Sequence, residues 1–585
     1  MQNILQRIKE EFAKLKRSLS MLRFLQLTDA TKIWKRMKKI ERWSVALLFF
    51  IFIADFIFIL GHWYTNHTKV VPEHGGVYTE GVVGEPSYIN PLLAQTQTDK
   101  DLSRLAYSGL YKYDDQGNFV PDLAASQPIV SASQRQFTIK LKPGLTWQDG
   151  QKITADDIIF TIQTIQNPAY QSPFLKNWQN TIVKKIDDTT VEFDNPDISA
   201  PFVTNFTIGI LPKHLWANIA PSDFTKNPLN LAPIGSGPFV AKEVSRDSSG
   251  GIKSYMFSSF KNYAGGRPYI DNLEIHFYPD QKSALLALHS KEIEGFGYTP
   301  FDQNEHFQPA TNLSLNQIST YSYLAAFFNT NGSAKALGDF AVRTALTQAT
   351  NRQEIITQDY SGNANPAYGP FAPQQLGYNP AVEKINSYDV DAANQTLDQA
   401  KWVKDASTGM RSKNGVQLAF TITTNNFLLN SQTAQTLKEQ WAKIGANVSI
   451  KTLTTTDLAT AISNRSYDAL LFSENTGYDP DPFIFWQSSQ SLNPGLNLSE
   501  YKNTSADKIM AAGRNTLDTN IRIQNYSKFQ QTLLVDAPAV FLVRPIFTYA
   551  MRAEIKGLSI NQLANPEDRF YDIVHWYVDT KRVWK

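Results

Sequence analysis

Cysteine is absent from the 585 residues of the chain, and this absence excludes several kinds of protein at once. Without cysteine there is no disulfide framework, no thiol nucleophile and no thiolate metal site. A lipid anchor attached to a cysteine is excluded in the same way. The fold must therefore be stabilised without disulfides, and any attachment to a membrane must be made without a cysteine-linked lipid.

The sequence also lacks the common catalytic motifs. It contains no G-x-S-x-G elbow, no H-E-x-x-H and no phosphate loop, so we predict a protein that is not an enzyme and cannot itself power transport. The eight histidines are scattered, and the spacing of His62, His67 and His74 matches no common metal site. We therefore predict no metal and no cofactor. Asp-Pro-Asp-Pro at 479–482 offers paired carboxylates for acid–base chemistry, although aspartate in turns is the commoner use.

An excess of positive charge is confined to the first 42 residues. They carry 12 Lys or Arg against 4 acids, whereas residues 43–585 carry 44 against 50, a net charge of −6. The larger part therefore has no basic patch for a nucleic acid. The whole chain has a hydrophobic content of 42% and a charged content of 19%, which are ordinary for a globular protein, and 585 residues are too many for one core. We expect more than one domain.

One long hydrophobic run stands out, SVALLFFIFIADFIFIL from Ser44 to Leu60. Thirteen of its 17 residues are Val, Leu, Ile or Phe. With the flanking aromatic residues, about 22 residues at roughly 1.5 Å each reach across a hydrocarbon core of about 30 Å. Asp55 costs roughly 2.5–3.5 kcal/mol near the middle, and the apolar residues outweigh it with roughly −4 to −8 kcal/mol. We predict a transmembrane anchor at 43–64; a buried core helix is the alternative.

The residues that flank this span predict its orientation. Lys35, Arg36, Lys38, Lys39 and Arg42 crowd its first end, and the positive-inside rule keeps that end in the cytoplasm. We therefore expect a single-pass protein of the cell membrane, with residues 1–42 cytoplasmic and the large domain extracellular or periplasmic. A cleaved signal peptide is the competing interpretation, but the basic region is too long and no Ala-x-Ala site follows the run.

The segments next to the span are short. Residues 4–22 place apolar side chains on one helical stripe among basic ones, which fits a helix on the inner leaflet, a partner helix or a solvated tail. Residues 65–73 are interpreted as a short polar linker.

Beyond the linker, helical and extended patterns alternate. Strands are predicted at 77–81, 136–141, 447–453 and 467–472, and a hairpin at 181–193. Thr154 with Asp157 resembles the start of one helix, and Ser431 the start of another that Gly445 ends. Such β-α-β alternation with short connections predicts α/β lobes.

Several short patterns, taken in order, resemble the family 5 extracellular solute-binding proteins, the oligopeptide, dipeptide and nickel group served by ABC importers. They combine glycine, proline and aromatic residues at family-like spacings within Gly75–Pro91, Leu141–Phe160, Pro233–Pro238, Asn262–Phe277 and Phe328–Arg352. The resemblance covers roughly residues 74–580. Two features depart from it, because the family usually has a cleaved signal with a lipid-anchored cysteine and no cytoplasmic stretch of this length.

The resemblance implies an α/β, two-lobed, periplasmic-binding-protein-like type II fold with an extra subdomain, here preceded by one transmembrane helix. The first lobe would be discontinuous, and the two hinge crossings would lie at Phe328–Asn329 and near Arg544–Pro545. The implied parts are lobe I at 70–112, 231–327 and 546–585, its appended subdomain at 113–230, and lobe II at 328–545.

The resemblance also implies a ligand site, since in peptide-binding relatives the backbone after the 467–472 strand pairs with an extended peptide. We assign Ser473, Glu474, Asn475, Thr476 and Gly477 to such contacts, facing Glu85 and Asn329. Relatives hold the peptide's α-ammonium with an aspartate just beyond this stretch, and Asp479 or Asp481 is the nearest carboxylate here. The alternative is that both only shape a turn. Tyr478 and Trp486 would line or pack the site.

The implied function is the extracellular substrate-binding component of a peptide ABC transporter. It would act as a monomer, with a peptide as ligand, the membrane as anchor, and an ABC permease with its ATPase subunits as partners. A receptor for a nickel chelate or other small solute stays open, as does a signalling or interaction protein that keeps the fold. An exterior peptidase that uses Asp479 or Asp481 is the remaining alternative.

Overall fold

The apolar run forms one helix, α1 Lys39–His67, in the computed structural model of the chain, which describes residue 32 and residues 34–298 and 312–585. Its 29 residues are about 43 Å long at roughly 1.5 Å per residue, more than a hydrocarbon core requires. None of them is buried by protein, and no other helix in the described ranges is long and apolar enough to cross a membrane. The predicted stripe at 4–22 lies outside the described residues.

The strands and helices of the described residues follow in chain order. The earlier strands are β1 Thr68–Pro72, β2 Gly75–Val83, β3 Tyr111–Tyr113, β4 Phe119–Pro121, β5 Ile129–Val130, β6 Gln136–Lys140, β7 Ile182–Asp187, β8 Thr190–Asp194, β9 Phe239–Arg246, β10 Ile252–Ser259, β11 Ile270–Tyr278 and β12 Gly295–Tyr298. The later strands are β13 Leu313–Thr320, β14 Ser322–Phe328, β15 Ala364–Pro366, β16 Val403–Lys404, β17 Arg411–Lys413, β18 Val416–Gln417, β19 Ala419–Asn425, β20 Asn447–Leu453, β21 Ala469–Asn475, β22 Ala539–Arg552, β23 Gln562–Leu563 and β24 Thr580–Trp584. The further helices are α2 Gln97–Ala106, α3 Ala155–Gln166, α4 Leu175–Trp178, α5 Lys213–Trp216, α6 Pro221–Phe224, α7 Gln281–Ser290, α8 Phe340–Gln348, α9 Arg352–Gln358, α10 Val390–Gln399, α11 Leu428–Ala442, α12 Thr455–Ser463, α13 Phe483–Trp486, α14 Thr504–Arg514 and α15 Thr519–Asp536.

The chain separates into two compact units, and the first joins α1 to a small β-ribbon. This unit contains the residues up to Pro72 together with Thr580–Lys585. In it β1 pairs with β24 in antiparallel register, Thr68 opposite Trp584 and Pro72 opposite Thr580. The prediction of a polar linker at 65–73 is therefore wrong. Its partner strand lies more than 500 residues away along the chain, so no local pattern reveals the pairing.

The second unit, Glu73–Asp579, is built on one large mixed sheet in the order β20-β19-β21-β14-β22-β12-β2-β11-β10-β9. We call the part on β2 and β9–β13 lobe I and the part on β14, β15 and β19–β21 lobe II. The long strand β22 serves both, since its first residues pair with β14 and its last with β12 and β13. The sheet thus passes between lobes at Arg544–Pro545 and, between β13 and β14, at Tyr321. Because all of β14 pairs within lobe II, Phe328–Asn329 lies inside that lobe and not at a crossing.

Each lobe has its own hydrophobic core. The lobe II sheet is covered on both faces, with Leu437 and Trp441 of α11 in one cluster and Tyr526 and Phe529 of α15 in the other. Lobe I shares one continuous core with residues 113–230, whose Trp147, Ile158 and Phe193 belong to the same cluster as β2 and β11. Helices on both faces of a sheet are what β-α-β alternation predicts, so lobe II has the expected α/β architecture.

The appended segment 113–230 contains the sheet β5-β6-β8-β7, against which α3 packs. The helix begins where predicted, with the Thr154 amide donating to Asp157 Oδ2 at 2.8 Å in a capping box. Its buried face carries Ile158, Ile162 and Ile165.

Two predicted boundaries in lobe II are wrong. Helix α11 begins at Leu428, so Ser431 lies inside it and is not its cap. Asn425 Oδ1 accepts from the Phe427 amide and from Asn430 Nδ2, and this turn starts the helix earlier. Strand β21 spans 469–475 and not 467–472, because β14 pairs with it through Asn475.

Candidate binding cleft

A cavity of about 590 Å³ opens between lobe I with its appended segment and lobe II. This lies within the range of roughly 300–1,000 Å³ that small-ligand pockets occupy. Its walls come from α2 and the residues before it, the appended segment, the loop after β21, and the loop after β23. The lining residues are Pro91, Ala94, Lys100, Ser103, Arg104, Tyr107, Tyr113, Phe174, Asn177, Trp178, Thr204, Asn205, Thr207, Ile208, Gly209, Asn475, Thr476, Gly477, Tyr478, Asp479, Asp481, Ile484, Phe485, Ala564, Asn565, Glu567 and Tyr571.

The end of β21 supplies the lobe II wall. β21 pairs with β14 along its whole length, whereas β19 pairs with it only at Ala469 and Leu470. In the described parts of the chain, the outer edge of β21 from Phe472 to Asn475 therefore has no strand beside it. An open strand edge of this kind can pair with an extended peptide backbone.

The loop after β21 is held in shape by hydrogen bonds to residues on both sides of the cleft. Gln375 Nε2 donates to Thr476 Oγ1 at 2.8 Å and to the Gly477 carbonyl at 2.6 Å. Asn475 Nδ2 donates across the cleft to the Ala564 carbonyl at 2.6 Å. Gly477 has a φ of +67°, a left-handed conformation that favours glycine. The loop is therefore a preformed wall that bridges lobe II to lobe I.

Tyrosine rings close one end of the cavity. Tyr478 stacks on Tyr113 of the appended segment with centroids 3.9 Å apart and planes 17° apart. Tyr321, at the passage between the lobes, meets Tyr478 edge-on at 5.3 Å, and Tyr571 lies 6.3 Å from it. Burial, with the nearby Asp479 charge, raises the pKa of Tyr113, so its hydroxyl stays protonated at neutral pH. Tyr478 is thus the side chain of lobe II that contacts lobe I through an aromatic stack.

The two aspartates of the Asp-Pro-Asp-Pro turn each hold their own arginine. Arg522 Nη2 donates to Asp479 Oδ1 at 2.6 Å, and Arg514 lies 3.2 Å from Asp481 Oδ2. Asp479 Oδ2 accepts no hydrogen bond from the described part of the chain. Burial raises the pKa of Asp481, whose other oxygen accepts from the Phe483 amide. Two separately paired carboxylates do not form a dyad that shares one proton.

The opposite wall carries two basic side chains that the sequence motifs did not reveal. Lys100 and Arg104 lie one turn apart on α2 and both line the cavity. Arg104 Nη2 donates to the Tyr571 hydroxyl at 3.0 Å, whereas Lys100 makes no ion pair with any residue of the described ranges. Burial and the neighbouring Glu567 raise the pKa of Asp568, behind this wall, to about 7. The i, i+4 spacing on a capped helix is the signal in the sequence that could have found the pair.

The predicted site residues divide into two groups. The cavity is lined by Asn475, Thr476, Gly477, Tyr478, Asp479 and Asp481. The structure places Glu85, Asn329, Ser473, Glu474 and Trp486 outside its lining.

Two of the outlying residues, Glu85 and Asn329, have structural contacts that explain their positions. Glu85 Oε2 accepts from the Ile252 amide at 3.0 Å. Asn329 is buried and donates to the carbonyls of Arg465 and Tyr467.

Glu474 and Trp486 lie in the interior of lobe II. Glu474 is hydrogen-bonded to Tyr323, and Trp486 belongs to the core that also contains Phe541. The buried position of the Glu474 side chain follows from the alternation of side chains along β21, because neighbouring residues in a strand point to opposite faces of the sheet.

Comparison with known proteins gives consistent results. Residues 118–495 match the profile described as bacterial extracellular solute-binding proteins, family 5 Middle. The oligopeptide-binding protein AppA of Bacillus subtilis is 28% identical over 515 residues, which cover 87% of this chain and 92% of that protein. The dipeptide-binding protein of Escherichia coli is 26% identical over 82% of this chain and 91% of its own length. The solved structure of AppA in complex with a nonapeptide aligns with a TM-score of 0.67 at 27% identity, over 87% of this chain and all of that one.

Proposed function

The chain belongs to the bacterial extracellular solute-binding proteins of family 5, and on that premise we propose that it is the membrane-anchored peptide receptor of an ABC importer. It captures an extended peptide between lobes I and II and delivers it to a membrane permease driven by separate ATPase subunits. The peptide-binding relatives support this proposal, as does the type II binding-protein fold they share with it. The chain itself acts as a monomeric binding protein without catalytic activity.

The observation that carries the proposal is the charge distribution around the cavity. Asp479, with one oxygen that accepts no hydrogen bond from the described residues, lies on the lobe II wall. Lys100, which has no ion-pair partner among those residues, lies on the lobe I wall. A peptide has an ammonium at one end and a carboxylate at the other. We assign the α-ammonium to Asp479 and the carboxylate side to Lys100, with the end of β21 at Asn475 and the adjoining Thr476 pairing with the backbone between them.

Calorimetry with capped peptides tests this assignment. A charged hydrogen bond contributes about 1.5–3 kcal/mol, so N-acetylation should weaken binding to the wild type by roughly 10- to 150-fold. Asp479→Asn keeps an acceptor for Arg522 but loses the charge, and it should weaken binding of the free peptide while leaving the acetylated one unchanged. Lys100→Gln should show the same pattern for the C-terminal amide. Asp391→Asn, an exposed carboxylate on α10, serves as the matched control.

Equal binding of free and acetylated peptides by the wild type would contradict the assignment of Asp479. In that case the site is one for a general solute, and a nickel chelate becomes the next ligand to titrate.

We further propose the orientation of the anchor. Residues 1–42 lie in the cytoplasm, α1 crosses the membrane once, and the unit Glu73–Asp579 lies outside. The excess of Lys and Arg before the span supports this orientation. Residues 113–230 form the appended subdomain of lobe I, and the lobes move about Tyr321 and Arg544–Pro545.

A further inference from the structure

The ribbon formed by β1 and β24 has a composition unlike that of the unit beyond it. Residues 68–72 and 580–585 contain Lys69, Lys581, Arg582 and Lys585 and no acid. The unit Glu73–Asp579, in contrast, carries 40 Lys and Arg against 49 Asp and Glu, a net charge of −9. A short basic element therefore lies between the apolar helix and an acidic domain in the chain.

The end of α1 fixes where this ribbon begins relative to the membrane. The apolar run ends at Leu60 and β1 begins at Thr68, eight residues or about 12 Å further along the chain. A headgroup layer is about 5–7 Å thick on each side of the hydrocarbon core. Helix α1 passes into β1 without a linker, so if α1 spans the bilayer with Leu60 at the edge of the hydrocarbon core, the ribbon begins about 5 Å beyond the headgroup layer. A lysine side chain of the ribbon can reach across this distance to the phosphates.

Residues 582–585 are attached to the same end of the helix. The Trp584 ring lies 5.7 Å from Trp63 and 5.8 Å from Tyr64. Arg582 donates to Thr68 Oγ1 at 3.0 Å, and the Lys585 amide donates to the His67 carbonyl at 2.9 Å. Tryptophan and tyrosine are typical of the membrane–water interface, where their rings lie among the headgroups. Trp63, Tyr64 and Trp584 lie together at the end of α1, and Trp584 belongs to a strand more than 500 residues further along the chain.

A ribbon of only two strands is marginally stable by itself, and this one exposes apolar side chains. Val70 is 54% exposed and Trp584 61% exposed, and Val70 faces Arg582 across the ribbon. Apolar, aromatic and cationic side chains on one exposed element fit the surface of an acidic membrane, which offers acyl chains, an interface and anionic phosphates together.

We propose that the β1–β24 ribbon binds the acidic phospholipid headgroups of the outer leaflet. The ribbon lies against the outer face of the headgroup layer beside α1, the rings of Trp63, Tyr64 and Trp584 sit among the headgroups, and Lys69, Lys581 and Lys585 contact the phosphates. The inference rests on the proposed membrane anchoring of the chain and adds a lipid-binding site to it.

The absence of cysteine allows single spin labels to test the proposal in the full chain. Val70→Cys reports on the ribbon, Leu48→Cys on the span and Ser249→Cys on an exposed turn of the second unit. Each labelled protein is reconstituted into phosphatidylcholine bilayers with or without phosphatidylglycerol, and its collision rate with a water-soluble nickel complex is measured. We expect the Val70 label to be protected several-fold relative to Ser249 when phosphatidylglycerol is present, and clearly less without it.

Neutral substitutions of the ribbon lysines test whether their charges bind the phospholipid headgroups. Lys69→Gln, Lys581→Gln and Lys585→Gln are combined, and Arg582 is kept because it bonds to Thr68. The triple variant should lose the phosphatidylglycerol-dependent protection while binding peptide as the wild type does, which shows that it is folded. Equal accessibility of the Val70 and Ser249 labels in both lipids would overturn the proposal, and so would protection that ignores phosphatidylglycerol. Exposure of the Leu48 label would instead contradict the membrane anchoring itself.

Discussion

At the scale of single residues, Glu474 is a carboxyl group that links the stability of lobe II to pH. It is fully buried in β21, is hydrogen-bonded to Tyr323, and burial raises its pKa to about 8. Below its ordinary pKa the group is protonated in both the folded and the unfolded chain. As the pH rises toward about 8, the unfolded chain releases this proton while the folded chain keeps it. The contribution of Glu474 to stability is therefore lost across that window.

Glu474→Gln removes this titration and keeps a neutral side chain that can bond to Tyr323. We expect the free energy of unfolding of the variant, relative to that of the wild type, to increase with pH between the ordinary glutamate pKa and about 8. The increase should be at most about 1.4 kcal/mol per pH unit. Urea unfolding at a series of pH values measures this difference. Glu243→Gln, an exposed carboxylate in β9, should show none. Parallel pH profiles of wild type and Glu474→Gln would contradict the prediction.

Arg569 holds two buried carboxylates of lobe I together. Its Nε lies 3.0 Å from Glu80 Oε1, and its Nη2 lies 2.7 Å from Asp101 Oδ2. All three side chains are buried, so removal of the arginine leaves uncompensated charge. Arg569→Met should lower the free energy of unfolding by about 3–5 kcal/mol, whereas Arg246→Met in β9, which is exposed, should change it little. Equal unfolding midpoints for the two variants would refute this role.

Residue-scale prediction from the sequence succeeded where the chemistry is local. Thr154 and Asp157 are three positions apart, and their capping box depends only on that spacing. The Arg569 cluster joins residues from β2, α2 and the loop after β23, which become neighbours only when the sheet is complete. Glu474 was assigned to the ligand because its position in the chain is next to the cleft, but strand alternation turns its side chain into the core.

At the scale of elements, the loop at Gly235–Gly237 passes directly over the end of α2. A Cβ on Gly235 would lie 1.9 Å from the Ala106 carbonyl oxygen, and one on Gly237 would lie 2.6 Å from the Leu105 carbonyl oxygen. Both distances are far below van der Waals contact, so any side chain must displace backbone. This close approach of backbone to backbone explains why both positions are glycine.

Gly235→Ala should consequently destabilise the protein by about 1–3 kcal/mol, the usual cost of overpacking. Because α2 carries Lys100 and Arg104, the shift should also weaken peptide binding. Gly338→Ala is the matched control, since its Cβ would meet only the Thr330 carbonyl at 3.6 Å. Thermal unfolding and peptide titration of both variants give the comparison, and an unaffected Gly235→Ala would show that the loop can move freely.

Elements were predicted well wherever a periodic pattern is continuous. Strand β20 has the predicted bounds, the β7–β8 hairpin ends one residue later than predicted, and the helix of the apolar run extends beyond 43–64 at both ends. The β1–β24 pair was missed because a strand of five residues gains its partner only through tertiary contact. The start of α11 was missed because a side chain of Asn425 nucleates the turn three residues before the serine that looked like a cap.

At the scale of the whole molecule, the topology across the membrane has a direct consequence. If residues 1–42 are cytoplasmic and α1 spans the bilayer, protease added to spheroplasts should leave a small protected fragment that begins at the first residue and ends just after α1. Mass spectrometry of that fragment locates its end. A mature N-terminus between residues 62 and 75 would instead identify a cleaved signal peptide.

The two lobes are connected only by β22 and by the passage at Tyr321 in the described parts of the sheet, which allows one lobe to rotate against the other. A ligand that contacts both walls favours the state in which they approach, because it gains contacts with each. We therefore expect a spin-label pair at Gln163→Cys on α3 and Lys438→Cys on α11, both exposed, to shift to shorter distances with saturating peptide. The distance within a control pair in lobe II, Asp391→Cys with Lys438→Cys, should not change.

Binding to the folded state alone also stabilises the protein by about 2.7 kcal/mol at a hundredfold excess of peptide over the Kd, so the thermal midpoint should rise with peptide concentration. Stabilisation without a change in the interlobe distance would mean that peptide binds to lobes that are already closed, with Tyr478 stacked on Tyr113 in the free protein, and would exclude hinge closure as the binding step.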